Sequence, residues 1–136
     1  MEALAVDRFE KVLVAGRAAL EREDPWEALV EALWAGAELL AGDRAFTEIV
    51  GELRGPMPLS AAVMQETNDT WAELLRRAQA SGDLRPDVVL DDIPMIMCGV
   101  GMATRKPHQC PDAWRRHLSI LVDGLRASSA SGSLPS

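Results

Sequence analysis

The sequence predicts an all-α fold, a single helical domain of about six helices, and three observations predict it. Apolar residues recur three and four positions apart through most of the chain, the spacing that lays them on one face of a helix. Strand signals are nearly absent: there is no tyrosine, and Val88-Val89-Leu90 is a lone β-like run. Gly, Pro and Asp fall between the periodic stretches, where helices stop and start. A chain of 136 residues, 48% of them hydrophobic, suits one domain with its own core. That domain is expected over residues 1–127, with no internal repeat.

The first helix is expected over 2–22, where Ala5, Phe9, Val12, Leu13, Gly16 and Leu20 form one stripe and Arg8, Lys11, Arg17, Glu21 and Arg22 face away. Asp24-Pro25 opens the second: the carboxylate can cap free N–H groups, proline fits the first helical position, and Glu27 follows three residues after the cap. Trp26, Leu29, Val30, Leu33, Trp34, Ala37 and Leu40 share its apolar face, and Gly42 stops it. A short third helix starts at Asp43 and carries Phe46, Ile49, Val50 and Leu53. Gly55-Pro56-Met57-Pro58 then breaks the chain.

The fourth helix is expected over 59–81, with Leu59, Val63, Met64, Trp71, Leu74, Leu75 and Ala78 on a wide apolar arc. Gly82 ends it, and Leu84 is placed for the apolar contact that accompanies a glycine cap. Residues 83–92 form a loop whose Asp91-Asp92 pair reads as helix-start carboxylates. Pro94 is tolerated in the first turn of the fifth helix. From Met95 to Ala103 that helix has no charged residue, and a helix apolar all round must be covered on both sides. After a loop at 106–111, the last helix is expected over 112–127, with Trp114, Leu118, Leu121, Val122 and Leu125 on one face and Arg115, Arg116, Asp123 and Arg126 opposite. Residues 128–136 are a Ser/Gly/Pro tail, expected to be disordered.

Charge and motifs narrow the function. Fourteen Lys and Arg against 21 Asp and Glu give a net charge of −7, which repels phosphate backbones and disfavours nucleic-acid binding by this chain alone. Cys98 and Cys110 are too few for a disulfide scaffold and fit a reducing cytoplasm. The start lacks the basic and long apolar run of a signal peptide, and no stretch of about 20 apolar residues predicts a membrane span. There is no Gly-rich phosphate loop, Gly-x-Ser-x-Gly or His-Glu-x-x-His, so no enzyme and no cofactor is expected. Cys98, His108, Cys110 and His117 lack a Cys-x-x-Cys knuckle, and no metal site is expected. As a redox thiol, Cys110 in its loop is a better candidate than Cys98 in its apolar helix.

The cover over the fifth helix supplies the candidate sites. If the last helix covers one side, Met95, Cys98 and Met102 look toward the second and fourth helices, which bring Trp34, Met64 and Trp71. Soft, bulky side chains of this kind line pockets for varied apolar ligands, and they also simply fill cores. Asn68, at the edge of the apolar arc, is a polar group that could orient a ligand, and Glu38 is a weaker one. The other face of the fifth helix offers Met97, Val100, Gly101 and Thr104. Together with Trp114, Leu118, Leu121, Val122 and Leu125 it forms a candidate self-association surface, two helices from each copy making a four-helix bundle.

The order of these features resembles the C-terminal half of tetracycline-repressor (TetR) family regulators. The resemblance is carried by Asp24-Pro25-Trp26-Glu27-Ala28-Leu29 after a charged helix, by Ala80-Ser81-Gly82-Asp83-Leu84-Arg85-Pro86-Asp87 before a wholly apolar one, and by the run from Trp114 to Arg126. It implies an effector-binding and dimerisation domain: a homodimer joined through its last two helices, sensing a small apolar or aromatic molecule and shifting the population of a DNA-bound state. It also implies that the DNA contact is made by an N-terminal helix-turn-helix, for which nothing before residue 24 supplies a recognition helix. By position, the resemblance points to Trp34, Met64, Asn68, Trp71, Met95, Cys98 and Met102 as cavity residues. The alternative is a stand-alone helical interaction module with no small-molecule ligand.

Overall fold

The computed structural model describes residues 2–42, 61–104 and 112–136. Five α-helices are described: α1 (Glu2–Leu20), α2 (Pro25–Gly42), α3 (Ala61–Ala80), α4 (Asp92–Thr104) and α5 (Ala113–Leu125), followed by a 3₁₀ turn at Ala127–Ser129. The described residues contain no strand, and the fold is all-helical, as the sequence predicts. The expected helix over 43–53 and the loop over 106–111 lie outside the described residues.

Local chemistry fixes the helix ends. Asp24 Oδ1 accepts the backbone N–H groups of Trp26 (2.9 Å) and Glu27 (3.1 Å), two donors that the first turn of α2 leaves without partners. At the other end of α1, Arg77 Nη1 of α3 donates to the Leu20 carbonyl at 2.7 Å, satisfying a terminal acceptor from a second helix. α3 stops at Gly82, whose φ of 85° is the left-handed conformation that side chains disfavour. Beyond it, the Leu84 N–H donates to Ala78 O at 3.1 Å, and Leu84 itself is buried, as its spacing predicts.

α2 is the axle of the domain. It packs against α1, α3, α4 and α5, and Trp26, Ala28, Leu29, Ala32, Leu33 and Ala37 are buried along it. The small residues let neighbours approach: a Cβ on Gly36 would stand 3.4 Å from Met97 Sδ of α4. α1 and α3 close similarly, with Thr70 Cγ2 3.0 Å from where a Gly16 Cβ would sit, and an Arg17–Glu66 ion pair flanks that contact. Trp71, Leu74, Leu75 and Ala78 of α3 complete this side of the core.

The loop between α3 and α4 is built into the body. Leu84 pairs as an antiparallel bridge with Arg126, Arg85 N–H donates to Leu125 O (3.0 Å), and Ala127 N–H donates to Asp83 O (2.8 Å). Gln79 Nε2 reaches the Val88 carbonyl at 2.9 Å. Arg126 in turn lies 4.5 Å over the Trp26 ring, so the end of α5 is tied to the start of α2.

Candidate functional site

The interior and the outer face of α4 divide the predicted site residues differently from expectation. Trp71 is buried in the core and Trp34 is partly buried against it. Trp34 packs on Trp114 of α5, ring centroids 5.7 Å apart and planes tilted by 55°. Met64 is half-buried on α3, and Asn68 is exposed. The apolar face of α3 is fully buried from Thr70 to Ala78 but only partly covered at Val63, Met64 and Thr67. Glu38 lies outside this cluster, exposed and 3.8 Å from Arg115, which also stacks on Trp114.

The two faces of α4 are exchanged relative to the sequence reading. Met95 (72% exposed), Cys98 and Met102 (57%) point outward, not toward α2 and α3. Ile93, Val100 and Gly101 are buried and Met97 is partly buried, against α2. The reason is that a helix with no charged stripe has nothing in its own sequence to orient it. The close fit of Met97 against Gly36 of α2 sets which face turns in. Cys98, expected to look toward the second and fourth helices, is an exposed free thiol.

The same correction applies to the predicted self-association residues. Trp114, Leu118, Val122 and Leu125 are buried within the protomer, where they cover α2 and the loop from Leu84 to Val88, and Val100 and Gly101 are buried with them. The stripe that looked like a contact with a second copy is therefore needed first for the protomer's own core. The side chain of Thr104 lies outside the described residues. Of that set, Leu121 and the edge of Leu125 line the outer surface of the α4–α5 pair.

That surface holds a shallow groove of about 490 Å³, walled by Val88, Met95, Ile96, Ile120, Leu121 and Leu134, with Asp92 and His117 as its polar members. Its floor is close-packed, since His117 Nε2 stands 3.2 Å from the position a Gly99 Cβ would take. This nitrogen is buried with no hydrogen-bond partner among the described residues. Asp92 is engaged at the helix start, its Oδ2 accepting the Val89 N–H at 2.9 Å. Ile120, 62% exposed, is the residue that sequence reasoning passed over. Its signal was an isoleucine on the polar face of an amphipathic helix, between Arg116 and Asp123.

The tail expected to be disordered contributes Leu134 to this groove. Arg85 and Asp87 form a two-bonded pair (2.7 and 3.1 Å) that grips it: Arg85 Nη2 donates to Gly132 O at 2.7 Å, and Asp87 Oδ2 accepts the Leu134 N–H at 2.7 Å. The Arg85 guanidinium, with the Leu134 N–H, lowers the Asp87 pKa to about 2.

Among the described residues, no group of three or more His, Cys, Asp or Glu is placed to hold a metal ion, and no helix is long and apolar enough to cross a membrane. His108 and Cys110 lie outside the described residues. Residues 24–127 match the family described as transcriptional regulator SbtR-like, C-terminal domain, and the chain belongs to this branch of the TetR-family C-terminal domains. No curated protein matches the chain.

Proposed function

We propose that this chain is the effector-binding and self-association domain of a TetR-like transcriptional regulator. It senses a small apolar or aromatic molecule and controls DNA binding by a helix-turn-helix that lies outside residues 1–136. The match over residues 24–127 carries this reading, because it covers every helix from α2 to α5. The effector contacts are assigned to α2 and α3, with Trp34, Met64 and Trp71 supplying apolar surface and Asn68 a polar group at the edge. What supports the assignment is that the apolar face of α3 is only partly covered at its N-terminal half, where Met64 lies.

Met95, Cys98 and Met102 are reassigned to a surface covered by a second copy. Met95, Met102, Ile120 and Leu134 are all large, apolar and exposed, and burying each would contribute on the order of 1.5–3 kcal/mol before association entropy is subtracted. Self-association is a homodimer in this reading, and no cofactor, metal or catalysis enters it.

The test is a thermal-shift and tryptophan-fluorescence screen of planar aromatic and branched apolar compounds. A binding compound at roughly 100 times its Kd stabilises the chain by about 2.7 kcal/mol, and Trp71→Ala should abolish the shift. One observation favours a second reading, an interaction module without a small ligand: the apolar groove lies on the outside of α4 and α5, not between Trp34 and Trp71. A dimer in sedimentation that no compound stabilises would give that reading precedence. A Trp71→Ala chain that binds as tightly as the parent would remove Trp71 from the contacts.

A further inference from the structure

We propose that two copies of this chain join with their α5 helices antiparallel, about a twofold axis beside Ser119 and Ile120, so that Arg116 of each copy meets Asp123 of the other. The inference rests on the self-association reading and adds to it a register and the residues that set it.

Residues seven apart return to nearly the same face, about 10.5 Å along the axis. Arg116 and Asp123 are such a pair, both exposed, with exposed Ser119 and Ile120 between them. They stand equally far on either side of the midpoint between Ser119 and Ile120.

In a twofold contact a residue above the axis meets the residue the same distance below it on the other copy. Antiparallel α5 helices centred there bring each arginine to an aspartate twice over. Parallel α5 helices on the same stripe would set arginine against arginine and aspartate against aspartate, which is costly at an interface.

The charges are available for this use. Arg115 is committed to Glu38 and Trp114, and Arg126 to Trp26, whereas neither Arg116 nor Asp123 has a side-chain ion pair or hydrogen bond among the described residues. The stripe is also continuous with the apolar surface that needs cover: Ile120 belongs to both, and Met95 and Leu134 flank it across the groove. Ser119 is small enough for the partner's Ile120 to pack over it. The occupant of this face is thus a second copy, because the order of charges along the face is complementary to itself about the twofold axis.

Sedimentation equilibrium of the unmodified chain, of Arg116→Glu, of Asp123→Arg, of their equimolar mixture and of the double exchange tests this. The unmodified chain should dimerise. Each single variant should dissociate about tenfold more readily, since both contacts become like-charged. The mixture should return to parental affinity: in the mixed dimer the introduced glutamate faces the introduced arginine, and the native pair stands at the other contact. The double exchange should dimerise like the parent, which also shows that the variants fold. Single variants that associate like the parent, or a mixture no tighter than its components, would overturn the register while leaving dimerisation standing. An unmodified chain that stays monomeric at every concentration would remove the self-association reading itself, and the register with it.

Discussion

α2 and α4 are both apolar along most of their length, yet they end in opposite situations. α2 touches four other helices and is covered on every side that carries a large side chain. α4 packs on α2 and α5, and Met95, Cys98 and Met102 are left facing outward. The lesson is that an apolar helix marks a requirement for cover and does not say where the cover comes from. For α2 it comes from the protomer. For α4 the protomer supplies only part of it, and in the proposed dimer a second copy supplies the rest.

The comparison can be broken by mutation, and the largest effect is expected in α2. Leu33 is fully buried, so Leu33→Ala should cost about 2–5 kcal/mol, read as a fall in the denaturation midpoint. Met102→Ala on α4 should leave unfolding of the protomer within about 0.5 kcal/mol of the parent while weakening self-association. Equal losses at the two sites would mean that α4 is as enclosed as α2.

Next in size are the chain segments that deliver the two helices. Gly82→Ala should cost about 1–2 kcal/mol, because its φ of 85° is held in a conformation where a Cβ is strained even though open space surrounds it. Asp24→Ala at the start of α2 should cost about 1 kcal/mol through the two lost cap bonds. Thermal melts of the two variants would order them; a Gly82→Ala chain as stable as the parent would show that the turn relaxes.

The smallest expected effect is on the tail beside the open face of α4. Asp87 has its pKa lowered from 3.8 to about 2, so its grip on the tail is complete above about pH 4 and is lost as pH falls through about 2. Amide exchange at Leu134 should therefore accelerate on acidification over that interval, and in Asp87→Asn it should be fast and less dependent on pH across it. Exchange at Leu134 that is already unprotected at neutral pH would mean the Arg85–Asp87 pair does not hold the tail in solution.

The cap at Asp24, the stop at Gly82, the burial of Leu84 and the core stripe of α3 were legible in the sequence, because each depends on residues within a turn or two of one another. The division of the candidate site was not. Trp34 and Trp71 were correctly placed toward the interior, but Met95, Cys98 and Met102 were exchanged with Met97, Val100 and Gly101. Trp114, Leu118, Val122 and Leu125 were assigned to a partner when the protomer uses them itself. Periodicity gives the angle between residues on one helix, and it cannot give the rotation of that helix against its neighbours.

The sequence by itself therefore determined the five described helices, the caps at Asp24 and Gly82, the acidic charge and the family. Helix propensity, capping and repulsion of like charge are local or additive properties of the residues present. Only the tertiary structure decided which face of α4 turns inward, which α5 residues stay exposed, and that the final residues lie along the groove under the hold of Arg85 and Asp87. Those outcomes depend on complementary shapes and donor–acceptor geometry between segments far apart in the chain, and close packing admits one rotation among several that the apolar pattern allows equally.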